Sequence, residues 1–201
     1  MTSFPSRALI SRSAFAHNVA RVRAATDAEV MAIVKANAYG HGLERVARWA
    51  WEEGVRWFGV AQLAEALELR GYLPDARILT WIYSPSDDLA EALAAGLDLS
   101  VGSQWALEKL AGADRARVHI KVDTGMARGG LTMAELESCA ERIASLEREG
   151  RIDVVGLWSH LARADEPDSE ETARQIERFE RARQVLADAG VVPQRLHLSL
   201  I

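Results

Sequence analysis

The chain has 201 residues, 49% of them hydrophobic, and a formal net charge of −5. These values are ordinary for a globular protein, and the mild acidity without a basic cluster argues against a nucleic-acid partner. The single cysteine, Cys139, excludes an internal disulfide and fits a reducing compartment. The opening residues lack the apolar core of a signal peptide, and no apolar run is long enough to cross a bilayer. We therefore expect a cytoplasmic protein without a membrane partner.

Seven short apolar runs recur along the chain and predict buried parallel strands. They are MAIVKA (31–36), WFGVAQ (57–62), ILTWIY (78–83), LDLSVG (97–102), VHIKVD (118–123), VVGLWSH (154–160) and RLHLSLI (195–201).

The stretches between these runs have helical character. Apolar residues repeat with helical spacing over 134–147 and over 171–189, where Ile176 and Phe179 belong to the predicted apolar face. Thr132 and Glu135 predict a capping box at the start of the first of these helices. Glycines that favour the left-handed conformation closing a helix precede six of the strands, at positions 54, 71, 96, 112, 150 and 190.

The repeating helix, glycine and strand predict an α/β fold of one domain over residues 1–201. Periodicity alone leaves two architectures open, a doubly wound open sheet and a (β/α)8 barrel. A closed barrel needs eight strands, and the sequence shows seven.

In a barrel of this kind, functional side chains gather at the carboxyl ends of the strands. That rule selects nine candidates: Lys35, Tyr39, Trp81, Tyr83, Lys121, Asp123, Arg128, Ser159 and His160. An amine, a guanidinium, an imidazole and a phenol together suit a phosphorylated, aromatic, carbonyl-bearing cofactor. The sequence has no Cys pair or HExxH string, so we expect no metal.

Lys35 stands at the end of an apolar run, where desolvation would lower its pKa and make its amine a nucleophile or a base. The spacing fits equally well a lysine without a functional role, whose side chain only extends to solvent. Taken singly, His160 fits a structural histidine better, and Arg128 a surface arginine. Gly40 and Gly42, which flank a loop leading into a helix, suit a phosphate.

Three segments together point to a known family. AIVKANAYGHG (32–42) resembles the segment of the alanine racemases that attaches pyridoxal 5′-phosphate (PLP). KVDTGMARGG (121–130) and GLWSHLARADEPD (156–168) are similar to the motifs of the fifth and sixth strands of that family. All three occur in the family's order, so the resemblance covers essentially the whole chain and implies the (β/α)8 barrel type.

The resemblance assigns roles by matching position. Lys35 would attach covalently to PLP and act as one of two catalytic bases, and Tyr39 would bond the cofactor phosphate. Arg128 would bond the phenolic oxygen, His160 would lie against the pyridine ring, and Trp81 would line the pocket.

Lys121 matches a lysine that is often carbamylated in the family. The modification replaces a cation with an anion, which would orient Arg128 and remove the repulsion between two neighbouring cations.

The activity implied is an isomerase reaction, the PLP-dependent interconversion of L-alanine and D-alanine for cell-wall precursors. Two other functions stay open: a single-domain PLP homeostasis protein without racemase activity, and a racemase for another amino acid.

The chain departs from the family after its seventh strand, where it reads LHLSLI. The family continues with an asparagine and a serine, an eighth strand carrying an arginine, and a β-rich domain whose tyrosine is the second base across a homodimer. From this ending we expect an incomplete barrel with weakened PLP binding and little or no activity. The resemblance implies a homodimer for full-length members of the family, and we do not extend this expectation to the present chain.

Overall fold

The computed structural model describes residues 8–166 and 168–199. The chain divides into two compact units, one extending to Ile78 and one starting at Leu79. The prediction of a single domain over 1–201 stays a prediction. None of the described helices is long and apolar enough to cross a membrane.

The first unit alternates helices with two parallel strands. Its elements are α1 (Arg12–Ala25), β1 (Met31–Ile33), α2 (Lys35–Tyr39), α3 (Leu43–Glu52), β2 (Trp57–Gln62) and α4 (Leu63–Tyr72). β1 pairs with β2, with Met31 opposite Trp57 and Ile33 opposite Gly59. Phe58 and Val60 of β2 are fully buried and contribute to the core of this unit.

The second unit repeats the strand and helix alternation. Its elements are β3 (Arg77–Ile82), which begins in the first unit, α5 (Ala90–Ala94), β4 (Asp98–Val101), α6 (Gln104–Lys109), β5 (Ala116–Lys121), α7 (Met133–Arg148), β6 (Ile152–His160), α8 (Glu170–Asp188) and β7 (Arg195–Ser199). β3 to β7 are neighbours in chain order, and each pair is parallel. The α/β class with seven parallel strands is therefore confirmed.

Each predicted strand overlaps an observed one, and the last two residues of the seventh run lie outside the described residues. The first strand was predicted too long, because β1 ends at Ile33. Lys35 therefore lies beyond the strand, in the turn that follows it. The residues after Lys35 have positive φ angles, so the extended conformation that strand pairing requires ends there.

The two long helices match their predictions closely. The capping box of α7 is present, with the Glu135 carboxylate accepting from the Thr132 amide at 2.8 Å. The predicted face of α8 is wrong at one position, because Ile176 is 46% exposed and Gln175 is buried instead. Four of the six glycines adopt positive φ after a helix (54, 96, 150 and 190), whereas Gly71 lies within α4 and Gly112 does not adopt it.

Candidate functional site

Lys35 begins α2, and this segment is a left-handed turn of the first unit. Four successive residues, Ala36, Asn37, Ala38 and Tyr39, have φ angles between 51° and 54°. This conformation costs roughly 1–2 kcal/mol per residue for an L-amino acid. Backbone strain of this kind persists only where the surroundings hold it, and it clusters at functional sites.

Hydrogen bonds close the turn at both ends. The Ala38 amide donates to the Val34 carbonyl at 2.9 Å, and the Gly40 amide donates to the Ala36 carbonyl at 3.0 Å. The Asn37 side-chain oxygen accepts from the Leu43 amide at 2.7 Å and so connects the turn to α3. These hydrogen bonds therefore hold the turn in its left-handed conformation.

The turn brings the two candidates of the first unit together. The Lys35 amine lies 5.6 Å from the centre of the Tyr39 ring, within the range of a cation–π contact. Partial desolvation raises the pKa of the Tyr39 phenol, so its hydroxyl stays protonated and can donate a hydrogen bond. Tyr39 is 53% exposed, which leaves it free to meet a ligand.

The candidates of the second unit gather around Trp158, which sequence reasoning had not singled out. Its ring centre lies 5.9 Å from that of Trp81 and 5.1 Å from that of His160. The Lys121 amine lies 4.8 Å above the same ring. Trp158 stands two residues before His160, and alternate residues of a strand share a face, so this spacing was the signal that could have identified it.

Arg128 lies close enough to Lys121 for its charge to act on the Lys121 amine. Burial lowers the pKa of the Lys121 amine, the charge of Arg128 lowers it further, and Asp123 acts in the opposite direction. The lowered pKa favours the neutral amine, which is the nucleophilic form.

Arg128 lies on a closed loop between β5 and α7. The Leu131 amide donates to the Lys121 carbonyl at 2.9 Å, and the Asp123 amide donates to the Leu131 carbonyl at 2.8 Å. Gly130 permits this closure, because a Cβ atom there would lie 2.7 Å from the backbone carbon of Val122 and its φ is +124°. The loop therefore depends on the glycines of the KVDTGMARGG segment.

Gln175 of α8 supports both the Arg128 loop and the end of β6. Its side-chain nitrogen donates to the Thr124 hydroxyl and to the His160 carbonyl, each at 2.9 Å. Its oxygen accepts from the Ala162 amide at 2.8 Å. Ser159, a sequence candidate, instead donates to the Val122 carbonyl at 2.8 Å and so takes part in this support.

His119, which is fully buried, and His197, which is partly buried, form a polar cluster beside the aromatic group. His119 Nδ1 lies 3.0 Å from His197 Nε2, and His119 Nε2 lies 3.2 Å from a carboxylate oxygen of Asp98. His197 stacks on Trp158 with an interplanar angle of 7°. Burial is the main cause that lowers the pKa of His197, and together with neighbouring His119 and His160 it lowers that pKa to about 3, so His197 is neutral near pH 7.

Tyr83, the remaining aromatic candidate, has a structural environment. Its hydroxyl donates to the Ser100 carbonyl at 2.8 Å, and its ring packs edge-on against Trp105. The sequence candidates thus form two groups, Lys35 with Tyr39 in the first unit, and Trp81, Lys121, Arg128 and His160 in the second.

Comparison with known proteins identifies the family. The family described as "Alanine racemase, N-terminal domain" matches residues 10–200. The chain belongs to this family. It is 51% identical to the alanine racemase of Beutenbergia cavernae over 98% of the chain and 54% of that protein.

Solved structures of the family show the same fold. The alanine racemase of Streptomyces coelicolor superposes with a TM-score of 0.89 at 40% identity, over 93% of this chain and 52% of the other. The alanine racemase of Bacillus anthracis with bound L-Ala-P gives 0.83 at 31% identity, over 93% and 50%. The predicted fold of the racemase barrel domain is thereby confirmed, and the chain spans about half the length of these relatives.

Proposed function

We propose that this chain is the cofactor-bearing part of an alanine racemase, with PLP attached to Lys35. The observation that carries the proposal is the left-handed turn after Lys35, which holds the Lys35 amine 5.6 Å from the centre of the Tyr39 ring. Membership of the racemase family supports the assignment.

The residues present fit PLP by their chemistry. Lys35 has the primary amine that an aldehyde requires, and Tyr39 has a protonated hydroxyl able to donate to a phosphate oxygen. In the second unit, Arg128 would donate to the phenolic oxygen, His160 would lie against the pyridine ring and Trp81 would line the pocket.

When bound, PLP accepts electron density from the substrate Cα and so makes its proton acidic. Lys35 would then act as a base that removes or returns that proton on one face of the substrate. Racemisation needs a second base on the opposite face.

Lys121 is proposed as a carbamylated residue that orients Arg128. In carbamylation the neutral amine adds to CO2 and releases a proton, and burial and the Arg128 charge both favour the neutral amine by lowering the Lys121 pKa. The product would be an anion beside the Arg128 guanidinium, a favourable pair where two cations would otherwise repel.

Alanine is the proposed substrate, and D-alanine formation for the cell wall is the proposed role. The support is the alanine racemase name of the Beutenbergia cavernae relative and the L-Ala-P ligand of the Bacillus anthracis structure.

The PLP assignment is tested by titration and covalent trapping. The chain has three lysines, Lys35, Lys109 and Lys121, so borohydride reduction followed by peptide mass spectrometry can assign the attachment. We expect the cofactor on Lys35, and loss of both the visible absorbance band and the trapped adduct in Lys35→Ala. The matched control, Lys109→Ala, keeps both. An adduct that survives in Lys35→Ala contradicts the proposal.

The alanine assignment has a separate test. The PLP-loaded chain is incubated in D2O with L-alanine and, separately, with D-alanine, and deuterium at Cα is followed by NMR. Incorporation that depends on Lys35 is expected for the enantiomer whose Cα proton faces Lys35, since one base suffices for exchange on that face. Exchange of another amino acid in preference to alanine would overturn the substrate assignment alone.

A further inference from the structure

Glu65 connects the start of α4 to the turn that carries Lys35. One carboxylate oxygen accepts from the Ala61 and Gln62 amides, each at 3.0 Å, and the residue completes the capping box of α4. The other oxygen accepts from the Ala36 amide at 2.6 Å. A single carboxylate thus receives three backbone donors from two segments of the first unit.

The Ala36 amide belongs to the peptide bond between Lys35 and Ala36. Because a peptide unit is planar, a hydrogen bond to this N–H sets the orientation of the plane that follows the Lys35 Cα. Ala36 is also the first of the four residues with positive φ. Hydrogen bonds to a carboxylate are shorter and stronger than neutral ones, so Glu65 holds the turn at the point where its strain begins.

We propose that Glu65 is a positioning residue for Lys35. It fixes the backbone from which the Lys35 amine extends and thereby sets the amine for attachment to an aldehyde cofactor. The inference rests on the proposed function, because it concerns the same attachment. It adds that this geometry is controlled by a side chain 30 positions further along the chain.

A merely structural role for Glu65, as a helix cap, has a matched control in α7. Glu135 completes the same kind of capping box, accepting from the Thr132 amide at 2.8 Å and the Thr132 hydroxyl at 2.8 Å. Glu135→Gln therefore removes an equivalent cap without touching the Lys35 turn. The two Gln variants separate loss of a cap from loss of positioning.

The experiment compares wild type, Glu65→Gln and Glu135→Gln by two measurements. The first is hydrogen–deuterium exchange of the peptide covering 35–42 without PLP, which reports the turn itself. The second is the PLP dissociation constant, with borohydride trapping at Lys35. In Glu65→Gln we expect faster exchange of the turn and PLP affinity about tenfold weaker, which corresponds to the loss of about 1.4 kcal/mol. In Glu135→Gln both quantities stay within about twofold of wild type, as surface substitutions usually do.

Glu65→Ala provides a second variant that removes both acceptor oxygens. Its PLP affinity is expected to be at least as weak as that of Glu65→Gln. An Ala variant that binds PLP as tightly as wild type overturns the positioning role.

The remaining outcomes distinguish this proposal from the proposed function. PLP affinity unchanged in Glu65→Gln, or weakened equally in Glu135→Gln, overturns the positioning role while PLP attachment to Lys35 stands. Absence of trapping at Lys35 in the wild type overturns both.

Discussion

At the residue scale, Trp158 is the centre of the proposed site in the second unit. Its indole N–H donates to the Ser100 hydroxyl at 3.0 Å, and its side chain is almost fully buried. A buried Trp N–H normally requires a partner. The bond therefore fixes the ring plane against which Trp81, His160 and Lys121 pack.

Trp158→Phe keeps an aromatic ring and removes the N–H donor. We expect the free energy of unfolding to fall by about 1–3 kcal/mol, since a buried hydrogen bond is lost and volume is removed. Urea denaturation measures it. Trp105→Phe is the control, because Trp105 is 40% exposed, and its cost is expected below about 0.5 kcal/mol. Equal losses in the two variants would contradict a special role for the Trp158 N–H.

At the element scale, α8 buries a polar residue where the apolar pattern of the sequence predicts that its neighbour is buried. Ile176 extends the helical apolar periodicity, yet the residue that faces the sheet is Gln175. Gln175 is accepted in the core because each polar atom of its amide has a partner. The helix consequently holds the ends of β5 and β6 by hydrogen bonds.

Gln175→Ala is expected to destabilise the fold by about 2–4 kcal/mol, because it leaves buried donors and acceptors without their partner. Ile176→Ala, on the next residue of α8, is expected to cost less than about 1 kcal/mol because the side chain is partly exposed. Thermal or urea unfolding of the pair checks the order. A larger loss of stability in Ile176→Ala than in Gln175→Ala would support the prediction from periodicity that Ile176 belongs to the buried face of α8.

At the scale of the whole molecule, we expect the histidine cluster of His119 and His197 to make stability depend on pH. His197 of β7 faces His119 of β5, whose other nitrogen meets Asp98 of β4, and both Trp158 and His160 of β6 lie beside it. A histidine whose pKa is lowered to about 3 in the folded chain resists protonation. The unfolded chain protonates the same residue near its ordinary pKa of 6.5.

The sign of the pH dependence follows from this difference. Between pH 6.5 and 3 the unfolded state binds more protons, so stability is full above pH 6.5 and falls as the pH drops towards 3. The carboxyls with lowered pKa, Glu108 and Glu135, contribute in the same direction only below their ordinary value of 4.5. Loss between pH 6.5 and 5 is therefore expected to come from His197.

Urea titrations between pH 5 and 8 measure this loss, with His197→Gln as the comparison. The variant is expected to show a flatter dependence over the same range, because the titrating group is gone. An unchanged slope would show that another group carries the acid sensitivity.

Local periodicity and short motifs were enough to predict the α/β class, the seven parallel strands, the capping box of α7 and the family. The folded chain was needed to establish the left-handed turn after Lys35, the burial of Gln175 rather than Ile176 and the pairing of the histidines. Each of these depends on a hydrogen bond between residues far apart in the chain: Ala36 with Glu65 across 29 positions, Thr124 with Gln175 across 51, and His119 with His197 across 78. Local patterns carry no information about such bonds, because the partners meet only when the strands and helices have packed.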